Sequence, residues 1–340
     1  MYKVGVIGLG NIAHNYGKPE DKNSYCHVGG ILYSKRVKLV AVADLLEDKR
    51  EKFRAKWGPV LPEVHYYKSA AEMLAAEKLD IVAVCSRGPH HFLSTTEVIA
   101  AGPRAIFLEK PPTCSLQEMD EMLGAAEAKN IPITVSYSRH WAPHVLRLQE
   151  LVKSGLIGDV KTVVGYVGGS FLSFAGHVTD LICQFANYRP LAVLAHGRPS
   201  TQTSAGYEPE PTLDNMVIEF AGGITGVHIG ATGDQGGFYA SVFGTEGRVR
   251  AGIYTPPFAA DAKGNAIDLK QHGMPENKSV FTVAYEQIAD HLDGGPLPHC
   301  TDADWEAVHE IGFGGIESMI SGRRIELPNK NRTRKVFANG

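Results

Sequence analysis

Apolar runs alternate with amphipathic stretches through residues 1–137, and the two patterns predict different elements. Five of the runs are short and rich in β-branched residues, which predicts strands at 2–7, 38–43, 79–85, 105–108 and 131–137. Helical periodicity and capping boxes predict helices between them, at 45–57, from 69, at 91–101 and at 115–129. Strands that alternate with helices in this order predict an α/β fold with a doubly wound parallel sheet.

The pattern changes after residue 137, where short β-rich runs are joined by glycines and polar turns. Strands are predicted at 160–167, 191–196, 215–220, 224–230 and 238–243, with a hairpin at Gly222–Gly223. Helices are predicted at 138–154, 177–186, 282–292 and 302–321. This α+β pattern predicts a second domain with a large, mostly antiparallel sheet, so that the domains are 1–137 and 138–340.

The first predicted strand runs directly into a glycine pattern of the Rossmann type, Gly-x-Gly-x-x-Ala. Gly8 can take the tight turn, Gly10 lets a phosphate approach the backbone, and Ala13 lets the next helix pack closely. A dinucleotide diphosphate is expected to bind the N–H groups at the helix start, which adds Asn11 and Ile12 to the predicted cofactor site. The alternative is a strand–turn–helix without a ligand.

Asp44 ends the second predicted strand, where a carboxylate can accept the ribose hydroxyls of NAD and repel the extra phosphate of NADP. This acid lies farther from Ala13 than the roughly 20 residues usual between fingerprint and acid. The extra residues are predicted at 16–27, a stretch too polar and too rich in turn residues for a continuous helix. We hypothesise that this insertion closes over the site as a lid.

Two further predicted strands end in residues that suit the same edge of the sheet, where loops meet a nucleotide. Ser86 and Pro89 follow the third strand, and Glu109 and Lys110 follow the fourth, so all four are predicted to lie at the cofactor. The prolines after Lys110 restrict its backbone, and a partly desolvated lysine there can move a proton to or from a hydroxyl. The alternative is an ordinary surface lysine in a turn.

Composition excludes several classes of protein. The chain has 340 residues, 44% of them hydrophobic and 21% charged, and its net charge of −3 predicts neither nucleic acid nor membrane as a partner. Five scattered cysteines without a Cys-x-x-Cys pair, and a first strand that leaves no room for a signal peptide, predict reduced thiols and a cytoplasmic location. The basic segment 330–335 is predicted to be a solvated end. His140 and His144 have the spacing of a zinc pair, but Pro143 intervenes, so no metal is predicted.

Four motifs in their order and spacing resemble the Gfo/Idh/MocA oxidoreductases: Gly8–Ala13, Asp44, Glu109–Pro111 and Gly176-His177-x-x-Asp180. The segments 154–158 and 321–328 extend the resemblance over nearly the whole chain. It implies a Rossmann domain followed by a domain whose open sheet often forms subunit contacts, and therefore a homodimer or homotetramer. It also implies an NAD(P)-dependent enzyme acting on a sugar or polyol.

The resemblance implies roles for particular residues. Lys110 would bind substrate and shift the proton, and His177 would serve as general base, with Asp180 as a further substrate contact or a structural residue. The position where the family often has a first Asp is Ser173, which cannot hold a negative charge. Either Lys110 and His177 suffice, or a different group substitutes, or activity is weak. Tyr137 and Arg139 are expected either to contact substrate or to pack at the domain junction.

The expected reaction is hydride transfer between C4 of the nicotinamide and a carbon bearing a hydroxyl group of a sugar or polyol. NAD is the predicted cofactor, and use of NADP stays open. Two alternatives remain. One is a regulator of the same fold that senses a nucleotide or sugar without turnover. The other is redox-neutral glycoside hydrolysis through a transient NAD-mediated oxidation, which would need NAD but release no NADH.

Overall fold

The computed structural model describes residues 1–230 and 237–339, and the chain forms two compact units. The first unit comprises 1–113, 118–141 and 278–302, and the second comprises the remaining described residues. The predicted domains 1–137 and 138–340 are continuous segments, whereas the segment 278–302 joins the first unit. A local pattern does not encode this association, because it depends on packing between residues far apart in the chain.

The first unit contains the predicted doubly wound parallel sheet, which is confirmed. Its strands are β1 (Tyr2–Ile7), β2 (Val37–Ala43), β3 (His65–Tyr67), β4 (Ile81–Val84), β5 (Ala105–Leu108) and β6 (Ile133–Val135). Their order is β3-β2-β1-β4-β5-β6, and every neighbouring pair is parallel. Strand β3 was not predicted, because its three residues, of which none is buried, form no apolar run.

The described residues form nine α-helices. They are α1 (His27–Tyr33), α2 (Glu47–Trp57), α3 (Ala70–Ala76), α4 (Gly88–Ala101), α5 (Leu116–Glu127), α6 (Pro143–Lys153), α7 (Gly176–Ala186), α8 (Val280–Leu292) and α9 (Asp302–Ser321). Among the described residues, no helix combines the length and apolar character needed to cross a bilayer. Helix α8 packs against α1 in the first unit, where a Cβ on Gly30 would lie only 2.4 Å from the Cβ of Phe281.

Two predicted helices are corrected. The predicted helix over 138–154 is a 3₁₀ turn, Ser138–Trp141, followed by α6, because Pro143 lacks an N–H and suits only the first turn of a helix. The helix expected directly after the glycines is a five-residue π-helix, Asn11–Asn15, and regular helix resumes only at His27. The predicted interruption over 16–27 is therefore confirmed.

The second unit contains a nine-stranded sheet in the described residues. Its strands are β7 (Val160–Tyr166), β8 (Gly169–Ser170), β9 (Pro190–Arg198), β10 (Thr212–Phe220), β11 (Thr225–Ile229), β12 (Tyr239–Gly244), β13 (Gly247–Gly252), β14 (Phe258–Asp261) and β15 (Ile325–Glu326). The order is β14-β13-β12-β7-β11-β10-β9-β15, with β8 beside β10, and β7 with β11 is the one parallel pair among the described strands of this second sheet. The mostly antiparallel sheet is confirmed, as is the hairpin at Gly222–Gly223, where both φ angles are positive.

The basic segment 330–335 is not a solvated end, and this prediction was wrong. Arg332 pairs with the buried Glu310 of α9, and Arg334 pairs with Glu317 of α9 and with Glu208. The side chain of Arg334 is only 16% exposed as a result. Composition alone suggested a free basic tail because the carboxylates that receive it lie elsewhere in the chain.

Candidate active site

Glycine stands at positions 8 and 10 of the nucleotide pattern for two different structural reasons. Gly8 has a φ of +88°, and a Cβ there would lie 2.7 Å from backbone atoms of Cys85 and Ser86, so the fold itself requires glycine. Gly10 has nothing within 4 Å of the place where a Cβ would project. Open space therefore lies beside the Gly10 backbone, next to the exposed Asn11 and the partly exposed Ile12, while Ala13 is fully buried. This space fits a cofactor diphosphate.

Asp44 lies directly after β2 and binds the glycine turn. Its Oδ2 accepts a hydrogen bond from Leu9 N at 2.7 Å, and its Oδ1 accepts one from Leu46 N at 2.9 Å. The side chain is only 8% exposed, and Lys49 Nζ lies 3.9 Å from Oδ2. The carboxylate thus joins the ends of β1 and β2, and ribose hydroxyls would have to share its lone pairs with these amides. The contact with ribose stays a prediction.

The loop after β4 contains a buried hydroxyl that suits a ligand. Ser86 Oγ is buried and has no hydrogen-bond partner among the described residues, and Pro89 lies in the first turn of α4. His91 lies between two carbonyls, with Nε2 2.6 Å from Ser86 O and Nδ1 2.6 Å from Pro111 O. Burial lowers the pKa of His91, and its ring lies between the loops after β4 and β5. The unpaired hydroxyl and the open space at Gly10 both fit a bound nucleotide.

Lys110 follows β5 and has a partly exposed side chain. Its backbone N–H donates to Glu109 Oε2 at 3.2 Å, whereas Glu109 Oε1 lies 3.0 Å from His27 Nε2. Glu109 is only 4% exposed. Burial opposes its ionisation, but the bond from His27 and the charge of Lys110 outweigh burial, and the pKa of Glu109 lies below its ordinary value. An anionic carboxylate therefore lies directly beside the candidate catalytic lysine, and its contact with the cofactor stays a prediction.

Tyr137 and Arg139 follow β6 and are each only 1% exposed. Arg139 Nη1 donates to Ser138 Oγ at 3.2 Å, and the same hydroxyl lies 2.6 Å from Tyr25 Oη. This burial agrees with the packing alternative for the two residues. Their contact with substrate stays a prediction.

His177 lies in the first turn of α7 in the second unit, and Ser173 lies in the turn before this helix. His177 is partly exposed, and its ring centre lies 6.1 Å from that of Phe238. Ser173 is buried, and its hydroxyl donates to Glu210 Oε2 at 2.5 Å. Glu210 Oε1 accepts from the backbone N–H groups of Ser173 at 2.8 Å and of Leu172 at 2.5 Å. The carboxylate of Glu210 is thus hydrogen-bonded to Ser173, the residue at the position where the family often has an aspartate.

Glu210 precedes β10 and was not recognised from the sequence, because its partner Ser173 lies 37 positions earlier. Burial raises the pKa of Glu210 above its ordinary value, although the bonds from Ser173 and Leu172 oppose this. Glu210 and Ser173 also line a polar cavity of about 250 Å³, together with Ser170 and Thr212. No local pattern identified Glu210, since a lone glutamate before a strand has no specific meaning.

Asp180 is fully buried on α7 and binds groups of its own neighbourhood. Its Oδ2 accepts from Gln184 Nε2 at 3.1 Å, and its Oδ1 accepts from Tyr188 Oη at 3.1 Å. These bonds stabilise the C-terminal half of α7 and favour the structural alternative for Asp180. A substrate contact stays a prediction.

A parallel sheet in this strand order, with an open glycine turn and an acidic residue after β2, defines a dinucleotide-binding Rossmann protein. Residues 2–137 match the model of a family described as an oxidoreductase family with an NAD-binding Rossmann fold. The predicted resemblance to this family, the Gfo/Idh/MocA oxidoreductases, is therefore confirmed over residues 2–137, and the predicted NAD cofactor is confirmed at the level of the family.

Relatives and solved structures cover nearly all of the chain. It is 25% identical over 347 residues to myo-inositol 2-dehydrogenase of Thermotoga maritima, covering 96% of this chain and 98% of the relative. It is 26% identical over 370 residues to D-glucoside 3-dehydrogenase of Escherichia coli, covering 96% and 97%. The fold is similar to the WlbA dehydrogenase of Bordetella pertussis, solved with NADH and UDP-GlcNAcA, with a TM-score of 0.75, 17% identity and coverage of 96% and 98%.

Proposed function

We propose that the protein is a dehydrogenase that transfers a hydride between NAD and a carbon bearing a hydroxyl group of a sugar or polyol. The observation that carries the proposal is the placement of Lys110 beside an anionic Glu109, in the same unit as the open glycine turn. The relatives named as inositol and glucoside dehydrogenases support the substrate class. The hydroxyl-lined cavity at Ser170, Ser173 and Thr212 also suits a polyhydroxylated molecule.

The proposed mechanism assigns a proton and a charge to named side chains. NAD, when bound, supplies the hydride acceptor. His177 accepts the proton of the reacting hydroxyl, since its ring is partly exposed and imidazole is a common general base in proteins. The ammonium group of Lys110 stabilises the developing alkoxide electrostatically. Gly10 and the Ser86 hydroxyl bind the cofactor, and Asp44 favours NAD over NADP through its negative charge.

We further propose that Glu210 supplies the carboxylate that Ser173 cannot. Its two oxygens bind the hydroxyl and the N–H of Ser173, so its charge, when ionised, lies at the turn that leads into α7. Of the three alternatives for Ser173, substitution by a different group is the one these contacts support. It favours an enzyme over a regulator that has lost its catalytic carboxylate.

The assembly and the location are proposed on separate grounds. Four apolar side chains on strands of the nine-stranded sheet are exposed by more than a third, which supports a homodimer or homotetramer formed through this sheet: Leu191, Leu194, Val217 and Phe243. Cys26, Cys85 and Cys183 are buried thiols outside any disulfide, which supports a reducing compartment and a cytoplasmic location.

The proposal is tested by NADH formation from NAD⁺ with pooled aldoses, polyols and inositols. Lys110→Ala should lower kcat/KM about 10²–10³-fold, since it removes the charge that stabilises the alkoxide. The matched control is Lys52→Ala, an exposed lysine of α2 that pairs only with Asp48 among the described residues. A wild-type protein that binds NADH but produces none from any pool would contradict the proposal. That outcome would favour the sensor, or redox-neutral hydrolysis if glycosides are cleaved only with NAD present.

A further inference from the structure

A chain of buried polar side chains inside the first unit ends at the backbone of Lys110. His27 Nε2 lies 3.0 Å from Glu109 Oε1, and His27 Nδ1 lies 2.8 Å from Tyr285 Oη. His27 and Tyr285 are completely buried, and Glu109 is nearly so. The other carboxylate oxygen, Oε2, accepts the N–H of Lys110. This series of hydrogen-bonded side chains therefore connects α8, the start of α1 and the end of β5.

The protonation states in this chain follow from its surroundings. Burial raises the pKa of Tyr285 well above its ordinary value, so the phenol keeps its proton. Glu109 stays ionised although burial opposes its charge, because His27 donates to it and Lys110 is close. The imidazole must therefore present its Nε2–H to Glu109, whether its Nδ1 accepts a hydrogen bond from the Tyr285 hydroxyl or donates one to it.

The other titratable groups around Glu109 are uncharged at neutral pH. Burial raises the pKa of Cys85, which follows β4, and that of Cys26, which caps α1. Burial lowers the pKa of His91 on α4, which therefore stays neutral. None of these three groups supplies a charge that competes with Lys110 for the carboxylate of Glu109.

We propose that His27 and Tyr285 are positioning residues for Lys110: they keep Glu109 ionised and oriented, and Glu109 in turn holds the lysine in its ammonium form at the edge of β5. The consequence for catalysis rests on the proposed function, in which this ammonium group stabilises the alkoxide. The arrangement also gives the long insertion a structural role. Residues 16–27 end by placing His27 in the core, so any lid movement is confined to the earlier part of the insertion.

The protonation of Lys110 can be measured without any substrate. Reductive methylation with ¹³C-formaldehyde labels lysines, and Lys110→Arg identifies the NMR signal of Lys110, which is then titrated with pH. Glu109→Gln should lower the titration midpoint of Lys110 by about one pH unit or more, since it removes an adjacent anion. His27→Phe should shift the midpoint in the same direction, because phenylalanine keeps the ring packing against Phe107 and Phe281 but donates nothing to Glu109.

Tyr285→Phe is the mildest variant, because it removes one hydroxyl and keeps the ring, and it should give a smaller shift of the same sign. The matched control is Tyr33→Phe, which removes a hydroxyl bonded to Pro19 O at 2.7 Å in the same unit and should leave Lys110 unchanged. If folded His27→Phe and Tyr285→Phe both titrate like wild type at Lys110, the proposal is overturned. Should His27→Phe not fold, Tyr285→Phe decides alone.

Kinetic measurements on the same variants separate the proposed dehydrogenase function from the proposed positioning role of His27 and Tyr285. His27→Phe should lower kcat about tenfold with a nearly unchanged dissociation constant for NADH, since the nucleotide turn is untouched. A protein without dehydrogenase activity would remove the proposed function, while the Lys110 titration would still test the positioning chain. An unchanged titration in an active enzyme would remove only the positioning chain.

Discussion

Each of the two units contains a buried glutamate next to a candidate catalytic residue or the turn that leads to it, but the pKa values of the two glutamates are shifted in opposite directions. Glu109 adjoins the candidate catalytic lysine, and Glu210 binds the turn that leads to the candidate base His177. Both are less than a tenth exposed. Yet the pKa of Glu109 lies below its ordinary value, and that of Glu210 lies above it.

The difference comes from the kind of partner rather than from the depth of burial. Glu109 is bound by an imidazole and lies next to an ammonium group, so cationic character offsets the loss of water. Glu210 is bound by a hydroxyl and by two backbone amides, which carry only dipoles. Hydrogen bonds alone leave the cost of burying a charge partly unmet, whereas an adjacent cation meets it.

The largest effect is expected when the carboxylate of Glu109 is removed from its partners His27 and Lys110. Glu109→Ala leaves His27 and Lys110 without their acceptor and should lower the free energy of unfolding by about 3–5 kcal/mol. Urea denaturation followed by circular dichroism measures this loss. Glu63→Ala, at an exposed position of the same unit, is the control and should change stability little. A loss below about 1 kcal/mol in Glu109→Ala would mean that the cluster is not coupled to folding.

A second test moves the carboxylate of the other cluster back to position 173. Ser173→Asp places a second acidic group against Glu210 and should destabilise the protein by about 2 kcal/mol, because two carboxylates then compete for the same donors. Adding Glu210→Gln should recover at least about 1 kcal/mol, which a double-mutant cycle measures as a non-additive term. If the effects of the two substitutions on the free energy of unfolding were strictly additive, the side chains at positions 173 and 210 would not interact.

The two sheets show how much of the fold can be predicted from the sequence. Short aliphatic runs separated by helical patterns predict five of the six strands of the parallel sheet, because strands buried on both faces must be apolar throughout. Gly8 and Asp44 are found together at the ends of β1 and β2, as their order in the chain indicates. In contrast, β13 and β14 escaped prediction, since runs such as Gly247–Gly252 mix glycine and arginine with few apolar residues.

The partners of the two glutamates are beyond local prediction for a physical reason. His27 and Glu109 are 82 positions apart, and Ser173 and Glu210 are 37 positions apart. Their pairing depends on how helices and loops pack on the finished sheets, and neither histidine nor glutamate carries a periodic signal of its own. The placement of α8 in the first unit escaped prediction for the same reason, because it depends on close packing at Gly30.

The finest test of the comparison is the pH dependence of stability, where the two glutamates should act with opposite signs. Glu109 has a folded pKa below its ordinary value of 4.5, so its stabilisation is present above pH 4.5 and is lost as the pH falls through the folded value. Glu210 has a folded pKa above 4.5, so the stability linked to its protonated form is present below pH 4.5 and is lost as the pH rises through the folded value.

The measurement is the free energy of unfolding of wild type, Glu109→Gln and Glu210→Gln from about pH 2 to pH 8, because the change linked to Glu109 lies below pH 4.5 and the change linked to Glu210 lies above it. Relative to wild type, Glu109→Gln should become less stable as the pH rises, and Glu210→Gln should become more stable. Each change is expected to amount to about 1.4 kcal/mol for every pH unit between the folded and unfolded pKa values. Parallel curves for the two variants would mean that burial alone, and not the cationic or neutral character of the partners, determines whether these carboxylates ionise.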